Sequence, residues 1–199
     1  MKPAALGIRA HSGWGALVAV CLNPVNVVAR QRITIAGPDC AGANQPYHFA
    51  KGQSLPKAEQ YLAEYAGVSE RLAFAALGGV VEELNQHGYL AVGCAILQAA
   101  GRPLPALEQI LASHSLIHTA EGEFFRRAFW KAAERRQIRV TGIRERDLAE
   151  RAEEVFGSRA IELQRAIAAQ GKALGPPWTT DQKTASFAAL LILAAEKLH

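Results

Sequence analysis

Two imidazoles and a carboxylate recur at helical spacing in this sequence. His114, His118 and Glu121 lie at i, i+4 and i+7, so on an unbroken helix all three project from one face. Such a set could bind a metal or perform acid/base catalysis. No fourth ligand is evident beside it, and histidines at the edge of a core face also serve as hydrogen-bonded structural residues, so no metal is assigned. A second group, Arg9, His11 and Ser12, could pair with an anion through guanidinium and imidazole, although Ser12-Gly13 is equally good turn chemistry. In Arg144-Glu145-Arg146-Asp147 both arginines could reach phosphate, while Asp147 with Glu150 fits a capping box. Trp178, Thr179, Thr180, Asp181, Gln182 and Lys183 place a stacking ring, hydroxyls, an acid and an amine at one helix start. Such a start binds anions, or simply caps a helix after Pro176-Pro177. No cofactor is expected at any of these groups.

The bulk properties narrow the setting. With 199 residues, half of them hydrophobic and 20% charged, the chain can bury a core and is expected to be ordered almost throughout. Cys21, Cys40 and Cys94 are widely spaced and form neither a CxxC pair nor a Cys/His cluster, which fits buried thiols in a reducing compartment. Arg9 and His11 interrupt the first apolar stretch before it could form a signal-peptide core. The apolar runs 16–22 and 185–195 fall far short of the roughly 20 residues that span a bilayer. A cytoplasmic protein is the expectation, with no membrane partner. The net charge of +4 is unevenly spread: residues 126–151 hold nine Lys or Arg against four Asp or Glu. That stripe suggests affinity for phosphate or nucleic acid, or else is a solvated helix face.

The elements that must position these groups follow from periodicity. Leu6 to Ala10, Trp14 to Leu22 and Val25 to Ile35 read as three consecutive antiparallel strands joined by turns at His11-Ser12-Gly13 and Asn23-Pro24. Gly37 to Pro56 reads as a long loop. Lys57 to Gln86 carries apolar residues at three- and four-residue spacing and predicts a long amphipathic helix. Tyr89 to Leu97 is a buried central strand bounded by glycine. Leu107 to Gln137 is helical with a break near His114, Ile138 to Ile143 a short strand, and Asp147 to Gly171 one or two helices divided near Gly157-Ser158. Thr180 to Leu198 is a final apolar helix. The order βββαβαβα gives an α/β domain, single over 1–199, with a mixed central sheet and helices on both faces.

That order resembles the ribonuclease-H-like fold, and Leu6-Gly7-Ile8-Arg9-Ala10-His11-Ser12, Gly15-Ala16-Leu17-Val18, Ala120-Glu121-Gly122, Val140-Thr141-Gly142-Ile143 and the alanine-rich helix after Asp181 resemble segments of the RuvC-like Holliday-junction resolvases in matching order. The phrases Arg9-Ala10-His11-Ser12-Gly13-Trp14 and Gly175-Pro176-Pro177-Trp178-Thr179 also resemble a bacterial protein family to which no activity is attached. Resolvases of this type place an aspartate on the first strand, a glutamate at the end of the fourth and aspartates at the start of the last helix, and these hold two metal ions. Here Arg9 stands in the first position, residues 96–99 contain no acid, and Asp181 alone remains. One carboxylate is too few oxygen ligands for a hard dication. The resemblance therefore implies the fold, a cleft shared by Arg9, His11 and Asp181, and no two-metal chemistry. The leading expectation is a domain that binds an anion or nucleic acid in that cleft. The alternatives are a hydrolase or phosphodiesterase using His114, His118, Glu121 and Asp181, and a structural interaction module.

Overall fold

The computed structural model describes residues 1–99 and 103–196. Its strands are β1 (Lys2–His11), β2 (Trp14–Cys21), β3 (Asn26–Thr34), β4 (Tyr89–Gln98) and β5 (Val140–Arg144). Its helices are α1 (Pro46–Ala50), α2 (Leu55–Gln86), α3 (Leu107–Ala112), α4 (His114–Arg135), α5 (Leu148–Phe156), α6 (Arg159–Leu174) and α7 (Thr180–Glu196). The sheet order is β3-β2-β1-β4-β5. β1, β2 and β3 form an antiparallel meander, and β4 runs parallel to both β1 and β5. The expected mixed sheet is thus present. The last two positions of the expected final helix, 197 and 198, lie outside the described residues.

Strand periodicity divides the core in two. Side chains alternate across a sheet, so Ala5, Val18, Val20, Ala95 and Leu97 meet α5, α6 and α7 on one face. Leu6, Ile8, Leu17, Cys94 and Ile96 meet α2 and α4 on the other. Helices do cover both faces. α7 lies across the middle of its face, and all its residues from Ala185 to Leu193 are buried. Burial also pushes the Cys94 thiol up to about 12, which keeps it protonated and inert at neutral pH.

Two local expectations need correction and two hold. The 37–56 loop contains α1, started by Pro46 at a position whose missing N–H costs a helix nothing. The expected break near His114 is present: Ser113 adopts an extended backbone and its Oγ accepts from the Leu116 N–H to cap α4. The expected division of 147–171 near Gly157-Ser158 is also present, at Gly157, whose φ of 56° stops α5. The capping box expected from Asp147 and Glu150 is absent: the Asp147 side chain makes no cap hydrogen bond and is held instead by arginines of its own loop.

Candidate functional site

The approach of α7 to β1 builds the cleft. A Cβ on Gly7 would fall inside the Ala185 carbonyl, so only glycine lets the helix backbone touch the strand there. Arg9 and His11 follow Gly7 at two-residue steps and share its face. Asp181 precedes Ala185 by one helical turn, and Arg9 and Asp181 therefore meet. The start of α7 is fixed from both sides. Thr179 forms a capping box with Gln182, whose Oε1 accepts from the Thr179 backbone N–H at 2.9 Å, while Thr179 Oγ1 accepts from the Asp181 N–H at 3.3 Å. Arg30 of β3 donates to the carbonyls of Leu174, Gly175 and Pro177 just before it.

Arg9 is the centre of the cleft. Its Nε and Nη2 donate to the two oxygens of Glu145 at 3.2 and 2.9 Å, and its Nη1 to Asp181 Oδ1. Partial burial by itself would lower the Arg9 pKa, but the hydrogen bonds and charges of Asp181 and Glu145 outweigh it and hold the guanidinium above its ordinary value. His11 Nε2 lies 3.2 Å from Asp181 Oδ2 but off the direction of a hydrogen bond, so that buried atom has no aligned partner. The His11 ring stacks on Trp14 with centroids 4.2 Å apart, and Arg32 sits 3.7 Å over the Trp14 ring. The structure thus brings Arg9, His11 and Asp181 together and adds Glu145. A fixed cation sits between the two carboxylates and balances their charge. Gln98, at the end of β4, is amide rather than acid, and its side chain lies over Gly142.

The other anion-binding candidates fare unevenly. Ser12 is exposed at the turn whose Gly13 has φ of 77°. Arg144 and Arg146 flank Glu145 and remain more than half exposed, although both contact Asp147, at 2.5 and 3.3 Å. Trp178 does not offer a stacking face to the cleft: its N–H donates to the Ile167 carbonyl and its ring covers Gly171 of α6. Lys183 lies two residues beyond Asp181, so it turns away from Arg9 and lines a groove of about 440 Å³ with Arg165 and Gln164. The basic stripe is largely committed within the fold. Arg126, Lys131 and Arg139 pair with Glu123, Glu134 and Glu196, and Arg135 and Arg136 pack on the Phe74 ring.

A second, separate cluster surrounds Glu121. His114 and His118 share a face of α4, as their spacing implied, with their Nε2 atoms 3.1 Å apart. His48, from α1, completes the group: one ring nitrogen of each histidine lies within 4.8 Å of the others. Glu121 is 2% exposed and accepts at Oε1 from the His48 backbone N–H at 3.2 Å and faces His48 Nδ1 at 2.9 Å. Asp181 pairs with Arg9 and His11 instead, so the four-residue hydrolase set of His114, His118, Glu121 and Asp181 is divided between two clusters on opposite faces of the sheet. Sequence reasoning missed His48 because it sits in the segment read as loop. Glu145, an acid directly after a strand and flanked by arginines, is legible in the sequence as a candidate for the Arg9 cleft.

No protein-family model and no curated protein sequence matches the chain, so the bacterial family suggested by its Trp14 and Trp178 phrases gains no support. Solved structures do match. RuvC of T. thermophilus in complex with a Holliday junction substrate superposes with a TM-score of 0.55 at 13% identity, covering 98% of this chain and 95% of that one. The Thermus thermophilus RuvC structure gives 0.53 at 13% identity, covering 98% and 96%. At this identity the match defines the fold: the chain is a ribonuclease-H-like α/β protein with a RuvC-like arrangement along nearly its whole described length. No helix of the described residues is long and apolar enough to cross a membrane.

Proposed function

We propose that this chain is a nucleic-acid-binding protein built on a RuvC-like frame, whose cleft does not cut. The observation that carries the reading is the ion-paired Arg9: its guanidinium bridges Asp181 and Glu145 at the strand end where, by the resemblance, metal-binding acids belong. The frame it shares with a junction-bound RuvC supports nucleic acid as the ligand class. Around the cleft mouth, Arg32, Arg144 and Arg146 are exposed and can lie along a phosphate backbone without the ion pair opening.

The test is binding of a fluorescein-labelled four-way junction and a matched duplex in EDTA, followed by anisotropy. Binding is expected without any divalent ion. Two or more phosphate contacts should weaken it about tenfold or more between 50 and 200 mM salt. The double substitution Arg144→Ala/Arg146→Ala should weaken it several-fold and reduce the salt slope, with little change in melting temperature. No binding of either DNA at low salt would overturn the proposal.

A further inference from the structure

We infer that His48, His114 and His118 form a binding site for a transition-metal dication of the zinc class, oriented by Glu121 and independent of the Arg9 cleft. The three rings come from two helices, α1 and α4, and their nitrogens already lie within 4.8 Å of one another. In a tetrahedral zinc site with Zn–N bonds of about 2.05 Å, ligand nitrogens stand about 3.3 Å apart. The 3.1 Å between His114 Nε2 and His118 Nε2 is close to that spacing before any ion enters. Imidazole is the ligand that selects zinc, copper, nickel or iron over magnesium or calcium.

Glu121 is what separates this cluster from a chance gathering of surface histidines. Its carboxylate is buried and takes a backbone N–H from His48 together with that residue's Nδ1. A carboxylate only accepts, so Nδ1 carries the proton and the ring's lone pair is on Nε2, the atom left for a metal. The second oxygen of Glu121 stands 4.0 Å from His118 Nδ1, again on the side of the ring away from the nitrogen that faces His114. One buried acid thus hydrogen-bonds one of the three rings, His48, the arrangement by which a metal-binding imidazole is fixed in tautomer and direction, and faces a second across 4.0 Å. His114 and His118 are exposed, so three protein ligands leave a fourth position open to water or to an oxygen of a ligand.

Tag-free, chelator-treated protein titrated with Co²⁺ should develop visible d–d bands that saturate at one ion per chain, and Zn²⁺ should displace the Co²⁺. His114→Ala and His118→Ala, both at exposed positions, should each weaken binding at least 100-fold with unchanged circular dichroism. Glu121→Gln should weaken it about 10- to 100-fold and alter the band intensities. His87→Ala, which removes an exposed histidine elsewhere on the chain, should change nothing. Absence of saturable Co²⁺ or Zn²⁺ binding tighter than 100 µM, or binding that survives the His114→Ala/His118→Ala double substitution, would overturn the site.

Discussion

Arg9→Asp is expected to destabilise the protein and make its stability respond to Mn²⁺ without creating a nuclease. In the wild type the Arg9 side chain is 27% exposed and bridges Asp181, 19% exposed, and Glu145, 42% exposed. Breaking a buried pair costs about 3–5 kcal/mol, and exposed pairs are worth less than about 1. This half-buried fork with a repulsive charge put in its place should cost about 2–3 kcal/mol, a fall of about 5–10 °C for a chain of this size. The variant gathers three carboxylates where one cation stood, a set that a hard dication can bridge. Millimolar Mn²⁺ should then return several degrees to the variant by mass action and leave the cleft of the wild type unaffected. Cleavage should stay absent because β4 ends in Gln98. Thermal scans with and without Mn²⁺ check this, and an Arg9→Asp protein as stable as wild type in EDTA would show that the fork holds nothing together.

Gly7→Val should be the most damaging single substitution in the sheet. The new Cβ would overlap the Ala185 carbonyl, a backbone atom that cannot rotate aside, at the point where α7 crosses β1. Overpacking of a core costs about 1–3 kcal/mol when side chains can give way, so about 3 kcal/mol or more is expected here, with loss of soluble protein a realistic readout. Displacing α7 also carries Asp181 away from Arg9. Gly79→Ala is the matched control: that glycine is exposed on α2 with nothing within 4 Å of a Cβ. It should stabilise the helix by up to about 1 kcal/mol. Denaturant unfolding of both variants measures the difference.

The elements that could be read from the sequence are those whose own residues carry the signal. The apolar, β-rich runs at Leu6 to Ala10 and Trp14 to Leu22, bounded by turns, marked strands buried on both faces, and the spacing from Tyr61 to Leu84 marked α2 within two residues of its start. The pairing of Arg9 with Asp181 was accessible only through the resemblance, because 172 residues separate them and no local pattern spans that distance. What stayed hidden depended on tertiary contact. Asp147 has the right residue type and spacing for a cap, yet two neighbouring arginines compete for its carboxylate. Trp178 has the right chemistry for stacking, yet Gly171 leaves room for its ring against α6. His48 lies in a five-residue helix too short to show periodicity, so the histidine cluster was visible only in part.

The replacement of a cutting centre by an ion pair on a RuvC-like frame can be checked by incubating purified wild-type protein with a labelled four-way junction and Mg²⁺ or Mn²⁺. Two-metal cleavage needs clustered carboxylates to hold both ions, and here the cationic position is taken by Arg9. Intact junction is expected at every divalent concentration, with binding still measurable in EDTA. Robust Mg²⁺-dependent cleavage that disappears in Asp181→Asn would contradict the replacement and identify the cleft as a working nuclease centre.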